Sequence, residues 1–210
     1  MVSEFEKKVA EEYNLRFLKY GAQPKSSLWF SEQRQKLRFD SIITAMKRNQ
    51  APRHFSINDI GCGYGGFLKH LQDNFSNDRF SYVGFDLAKS PVEYCDRHYA
   101  KKGVKFYCSS IPSKVADYSV MSGTFNYVPD LSVKAWKDYL FTSLSSIWNL
   151  TQHSMIFNLM ISEQDKITAQ RISYIRKETV VNFCQRNFGE TYESFSSKLP
   201  KEITFCVRKT

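Results

Sequence analysis

Cysteine is scarce and without pattern: Cys62, Cys95, Cys108, Cys184 and Cys206 are odd in number, widely spaced and contain no C-x-x-C pair. Neither a disulfide framework nor a zinc knuckle is suggested, and a reducing, cytoplasmic setting is expected. Glycine and proline are few, nine and six in 210 residues, and no repeat or low-complexity tract is visible, so no linker divides the chain. Residues 1–8 already hold Glu4, Glu6, Lys7 and Lys8 where a signal peptide would need an apolar stretch, so export is not expected. One uncharged run, residues 139–162, is long enough to cross a bilayer, but eleven of its twenty-four residues are Ser, Thr, Asn, Gln or His. It reads as a helix followed by a buried strand, with no membrane association. The four histidines, His54, His70, His98 and His153, offer no three-ligand spacing, so no metal site is expected.

What is present fits one folded unit. The length suits a single domain, and 42% apolar, 15% aromatic and 24% charged residues exclude a disordered chain. Thirty Lys and Arg against twenty-one Asp and Glu leave +9, which favours anionic partners. The surplus is uneven: eleven basic and six acidic side chains in residues 1–53, ten and nine in 54–150, nine and six in 151–210.

The pattern changes near residue 54. Before it, residues 3–20 place Phe5, Val9, Tyr13, Phe17 and Tyr20 at helical steps up to Gly21 and Pro24, and a second helix is expected over about 31–49. Residues 1–53 therefore read as a helical cap on a unit spanning 54–210. In that unit, apolar runs at 54–60, 80–85, 104–108, 118–121 and 155–161 alternate with candidate helices at 64–75, 91–101, 133–150 and 178–187. Strand–helix alternation implies right-handed crossovers and a parallel sheet. Residues 190–197 and 202–208 read instead as a hairpin, so the sheet finishes antiparallel.

The sharpest local signal is Asp59-Ile60-Gly61-Cys62-Gly63-Tyr64-Gly65-Gly66, between the first strand and the first helix of that unit. Glycines there allow a tight turn and close approach of a ligand, and free amides at a helix start favour an anion. The spacing satisfies both the dinucleotide pattern G-x-G-x-x-G and D-x-G-x-G-x-G. Asp59 favours the second, since a carboxylate there would repel a pyrophosphate but attract an ammonium group. Asp86, twenty-five residues after Gly61 at the end of the second strand, can accept both hydroxyl protons of a ribose.

At these residues the chain resembles the class I S-adenosylmethionine-dependent methyltransferases. It resembles a small-molecule-type subgroup also through Tyr20-Gly21, Pro24-Lys25, Trp29, Gln35 and Arg38-Phe39, through Ser122-Gly123-Thr124-Phe125-Asn126, and through Phe157-Asn158-Leu159-Met160. The resemblance implies a Rossmann-like α/β fold, a seven-stranded, mostly parallel sheet whose last strand is antiparallel, with S-adenosylmethionine as cofactor. It implies a cofactor site at Asp59, Gly61, Cys62, Gly63, Tyr64, Gly65, Asp86, Leu87, Ser110, Ile111 and Ser122, with Arg38 available to a carboxylate. Cys62 itself is expected to point toward the core. Where such enzymes often carry Asp for the adenine amino group, this chain has Cys108-Ser109-Ser110-Ile111, leaving Ser110 as a weaker acceptor.

Methyl transfer by in-line displacement needs alignment more than a covalent intermediate. Asn126, whose amide donates and accepts, is the leading candidate to orient an acceptor, with Tyr127 second. Tyr20 and Trp29 are expected to close over the site, and Asn158 to touch the substrate. No general base is identifiable, and an acceptor already ionised would need none. The expected acceptor is a small molecule accepting on oxygen or nitrogen, the surplus charge favouring an anionic one. A nucleic-acid methylase is disfavoured by the lack of a basic stripe with interleaved aromatics. A non-catalytic binding protein is disfavoured by the intact glycine loop, and NAD-dependent oxidoreduction by Asp59 and the hairpin.

Overall fold

The computed structural model describes residues 3–28, 31–48 and 52–209. The first helix, α1 (Glu4–Tyr20), starts in a capping box: the Ser3 hydroxyl accepts from the Glu6 amide while the Glu6 carboxylate accepts from the Ser3 amide. It stops at Gly21, whose φ of 68° lies where side-chain-bearing residues are strained. A single 3-10 turn, Pro24–Ser27, leads to α2 (Glu32–Arg48).

The chain then alternates through β1 (Phe55–Ile60), α3 (Gly66–Asn74), β2 (Phe80–Asp86), α4 (Lys89–Tyr99), β3 (Val104–Cys108), β4 (Ala116–Met121), α5 (Val133–Asn149) and β5 (Thr151–Met160). A small ribbon, β6 (Lys166–Ile167) with β7 (Ser173–Tyr174), precedes α6 (Lys177–Asn187), β8 (Thr191–Phe195) and β9 (Glu202–Arg208). The main sheet has seven strands in the order β3-β2-β1-β4-β5-β9-β8. Its first five strands in sheet order pair in parallel, and β9 runs antiparallel to both of its neighbours, as expected from the terminal hairpin.

Apolar side chains on both sheet faces are covered by helices. On one face α2, α3 and α4 pack Ile42, Met46, Leu68, Leu71 and Cys95 against Ile57, Tyr82 and Val120. On the other, α5 and α6 pack Trp136, Leu140, Leu144 and Val180 against Met155, Phe157 and Phe205. The chain moves outward from β1 to β2 and β3, then returns across β1 to β4. This reversal is the switch point at which a crevice opens beyond the carboxyl ends of the strands.

Within residues 1–53, α2 buries Phe39, Ile42, Ile43 and Met46 in the same core as β1 and β2, whereas α1 has no buried residue. Other local readings are corrected. β5 starts at Thr151, four residues before its apolar run, because polar groups are satisfied inside the sheet. The Thr151 hydroxyl lies 2.7 Å from that of Ser119 and donates to the Ile147 carbonyl at 2.8 Å. Helix α4 begins at Lys89, two residues before the expected start at 91, and the Ser90 amide donates to the Asn14 side chain of α1 at 2.8 Å. The β6–β7 ribbon has strands of two residues each, too short to show in an alternation pattern.

Candidate active site

A cavity of about 580 Å3 lies over the switch point, roofed by α1. The α1 stripe Phe5, Val9, Tyr13 and Phe17 faces into it. That explains how a helix with an apolar face has no fully buried residue: its stripe faces the cavity, with Phe5 also packed edge-on to Tyr139. The helix is tied down at its edges, by Lys8 to Asp130, by the Asn14–Ser90 bond and by the Arg16 guanidinium on the Lys25 carbonyl at 2.6 Å.

The glycine loop forms one wall. Gly61 has φ 79°, and a Cβ there would meet the Thr124 hydroxyl at 2.6 Å, so only glycine lets the loops after β1 and β4 pass so closely. Gly63 and Tyr64 also line the cavity, and the Tyr64 hydroxyl donates to the Gln35 side chain at 2.6 Å. Gly65 does not line it. A Cβ at Gly65 would meet the Tyr99 ring at 2.9 Å, so that glycine serves the packing of α3 on α4.

Asp86 stands at the end of β2 in the cavity wall, beside Leu87. One carboxylate oxygen accepts from the Gly63 amide and the other from the Ala88 amide, both at 2.8 Å. Burial raises its pKa, and these backbone bonds work against the rise. A carboxylate has about four lone-pair sites, so acceptor capacity remains for a ligand. Ser110 lines the cavity too, whereas Ile111 is 44% exposed and outside the wall.

Around Gly123, at the end of β4, polar atoms await partners. The Ser122 hydroxyl and the Asn126 side-chain oxygen are buried in the cavity wall without a hydrogen bond. Asn158 accepts from the Gly123 amide at 2.7 Å through its side-chain oxygen, and its buried amide nitrogen has no partner. Asn158 stands behind the wall and shapes the Gly123 turn. The Asn126 carbonyl accepts from the Ser173 amide at 2.8 Å and from its hydroxyl at 3.1 Å, so the β6–β7 ribbon holds that segment. Tyr127 lines the cavity edge-on to Tyr13, ring centres 5.9 Å apart. Burial pushes both phenols up, so they stay protonated at neutral pH.

Other expected site residues lie elsewhere. Asp59 is 1% exposed, outside the wall, and accepts from the Tyr82 hydroxyl while its second oxygen has no partner. It shares a strand face with Ile57, two residues back, so it points under α3 and α4 and not beyond the strand end. Burial, opposed by the Tyr82 bond, pushes its pKa to about 7. Cys62 is buried in the same core, as anticipated, and burial raises its thiol far from reactivity. Arg38 reaches the cavity but lays its fork on Glu202 of β9, so it has a protein carboxylate where a ligand carboxylate was expected. Tyr20 is outside the wall, its ring facing Arg16 and Lys19 on α1 itself. Trp29 lies outside the described residues.

Comparison with known proteins meets this geometry. A profile described as a methyltransferase domain matches residues 57–145, from β1 through the glycine loop and Asp86 into α5. The matched region and the relatives below support a class I S-adenosylmethionine-dependent methyltransferase. It is similar to Rv1506c of Mycobacterium tuberculosis strain H37Rv, itself provisionally named a methyltransferase: 28% identity over 158 residues, 74% of this chain and 93% of that one. Magnesium protoporphyrin IX methyltransferase from Synechocystis, solved with S-adenosylmethionine, shares the fold at a TM-score of 0.71 and 12% identity, covering 99% and 98% of the two chains. So does 1,6-didemethyltoxoflavin-N1-methyltransferase from Burkholderia thailandensis, at a TM-score of 0.63 and 12% identity, covering 100% and 92%.

The chain's own residues fit a nucleoside-bearing sulfonium. The cradle at Gly61 and Gly63 stays open only without side chains, Asp86 keeps acceptor capacity, and Ser122 and Asn126 hold unpaired polar atoms beside both. Tyr13, Phe17, Arg34, Ser173, Lys198 and Lys201 were not legible as site residues. The α1 stripe was visible as a pattern, yet the sequence does not say whether such a stripe covers a core or a cavity.

Proposed function

We propose that the methyltransferase transfers its methyl group to an oxygen or nitrogen of a small molecule held between α1 and the ends of β4, β5 and β9. The observation that carries this reading is the continuity of the cavity. It runs from Gly61 and Asp86, past Asn126 and Tyr127, to Met160 and Glu202, and its volume of about 580 Å3 falls within the roughly 300–1,000 Å3 of small-molecule sites.

In this reading Gly61, Gly63, Asp86, Leu87 and Ser110 hold the nucleoside end of the cofactor, with Ser122 beside its amino-acid end. When bound, S-adenosylmethionine supplies an electrophilic methyl group. Asn126 accepts from an O–H or N–H of the acceptor molecule through its unpaired oxygen and so orients it, and the protonated Tyr127 and Tyr13 donate hydrogen bonds while excluding water. No histidine lines the described wall, and its carboxylates, Asp86 and Glu202, are engaged by backbone amides and by Arg38. The chain therefore offers alignment, and the acceptor arrives ionised or loses its proton to water.

Within the cap, we read α1 as the part that moves to admit ligands, since it buries no residue in the core and its apolar stripe faces the cavity, and α2 as fixed. The five thiols, none disulfide-bonded, support a cytoplasmic location. The small-molecule reading is also supported by the acceptors for which the two similar structures are named. Formation of S-adenosylhomocysteine with a small-molecule extract, absent when α1 is deleted, is the expected result. Binding of S-adenosylhomocysteine with no transfer to any acceptor would reduce the protein to a binding module.

A further inference from the structure

Resting on the proposed methyl transfer, the structure assigns the acceptor a chemical class: we infer that it carries an oxyanion, a carboxylate or phosphate, held by Arg34, Lys198 and Lys201. These three side chains line the cavity and form no ion pair with a described residue. The wall's other charged groups are Arg38, Glu202 and Asp86. Arg38 and Glu202 neutralise each other in a buried bidentate pair, and Asp86 is committed to the glycine loop. Three positive charges therefore remain uncompensated at one end of the cavity.

Their place separates them from the cofactor. Lys201 immediately precedes Glu202, which is in register with Met160 at the end of β5, and Lys198 lies in the turn from β8 to β9. β9 is three strands away from β1, about 14 Å at roughly 4.8 Å per strand. Arg34 sits one helical turn before Arg38 on α2 and so joins the same end of the cavity. All three are exposed enough to keep their charge and to meet an arriving ligand at the mouth. Cations lining a low-dielectric cleft concentrate anions and orient them on entry. A carboxylate or phosphate bound there would leave the rest of the acceptor lying across Tyr127 and Asn126, toward the glycine loop. One cation of α2 and two of the β8–β9 turn thus meet at the acceptor end of one cavity.

The test feeds the methyltransferase trideuteromethyl S-adenosylmethionine and a small-molecule extract of the cells that make it, separated beforehand on an anion exchanger. The expected result is label in molecules of the retained, anionic fraction. The triple variant Arg34→Gln/Lys198→Gln/Lys201→Gln, three exposed positions that spare the fold, should lower that transfer by about tenfold or more at limiting acceptor. Its affinity for S-adenosylhomocysteine, read by calorimetry, should be unchanged. Label in the unretained fraction, label only in macromolecules held back by ultrafiltration, or transfer undiminished in the triple variant would overturn the inference. So would a matching loss of S-adenosylhomocysteine affinity, which would assign the cations to the cofactor. Absence of label in every fraction, from protein that binds S-adenosylhomocysteine, would instead overturn the parent reading of small-molecule transfer.

Discussion

The Gly63 amide donates to the Asp86 carboxylate across 2.8 Å, joining the loop after β1 to the end of β2. The residue read as a ribose ligand thereby also fixes the loop that approaches the cofactor. Asp86→Ala should weaken S-adenosylhomocysteine binding by about 1.5–3 kcal/mol, roughly ten- to hundredfold in Kd. Asp86→Asn, which keeps one acceptor oxygen, should lose less. Calorimetric titration reads both, and an unchanged Kd for Asp86→Ala would make the residue purely structural.

Asn126 should behave differently. Its backbone is held by Ser173 and its side-chain oxygen is unpaired in the cavity, so Asn126→Ala removes an orienting group without unpinning the loop. Cofactor affinity should be spared and turnover reduced. Equal losses in both, measured by steady-state kinetics, would contradict the role given to it.

Arg38→Ala should be a stability defect. Arg38 and Glu202 are 4% and 6% exposed, and removing the guanidinium strands a carboxylate in the interior, a change that costs about 3–5 kcal/mol. Arg38→Met/Glu202→Met should recover much of that in urea denaturation. A loss for Arg38→Ala no larger than that of an exposed ion pair would show that water reaches Glu202.

Asp59 gives a pH dependence. Its carboxyl is raised from 3.8 to about 7 in the folded protein, chiefly by burial, so folding favours the protonated form. The stability that this contributes is complete below about pH 4 and is lost as pH rises through 7. Asp59→Asn lacks that dependence and can still accept from Tyr82. Relative to the parent chain it should gain, between pH 4 and pH 7, an amount on the order of 3 kcal/mol in thermal melts. Parallel pH profiles for the two proteins would mean that Asp59 is not buried as an acid.

What was legible in the sequence was mostly local. The glycine loop and the strand end at Asp86 are short-range patterns whose backbone demands leave few alternatives. The hairpin into β9 was readable because two alternating runs flank a proline turn. Asp59 was misplaced although alternation alone puts it on the face of Ile57. The Arg38–Glu202 pair joins residues 164 apart in sequence, and nothing near Arg38 announces its partner. Tyr13 and Phe17 displaced Tyr20 as the cover because the inward stripe runs in four-residue steps and the helix ends before it returns to the cavity. The ribbon that carries Ser173 is too short for any periodicity.

The most direct measurement is a crystal structure of the protein with S-adenosylhomocysteine bound. The ribose is expected on Asp86, the amino-acid tail along Gly61 and Gly63, and the sulfur facing open cavity toward Asn126, Tyr127 and the basic mouth at Lys198 and Lys201. A ligand whose sulfur faces away from Asn126, or whose bulk fills the space up to β9 and leaves no room for an acceptor, would contradict it.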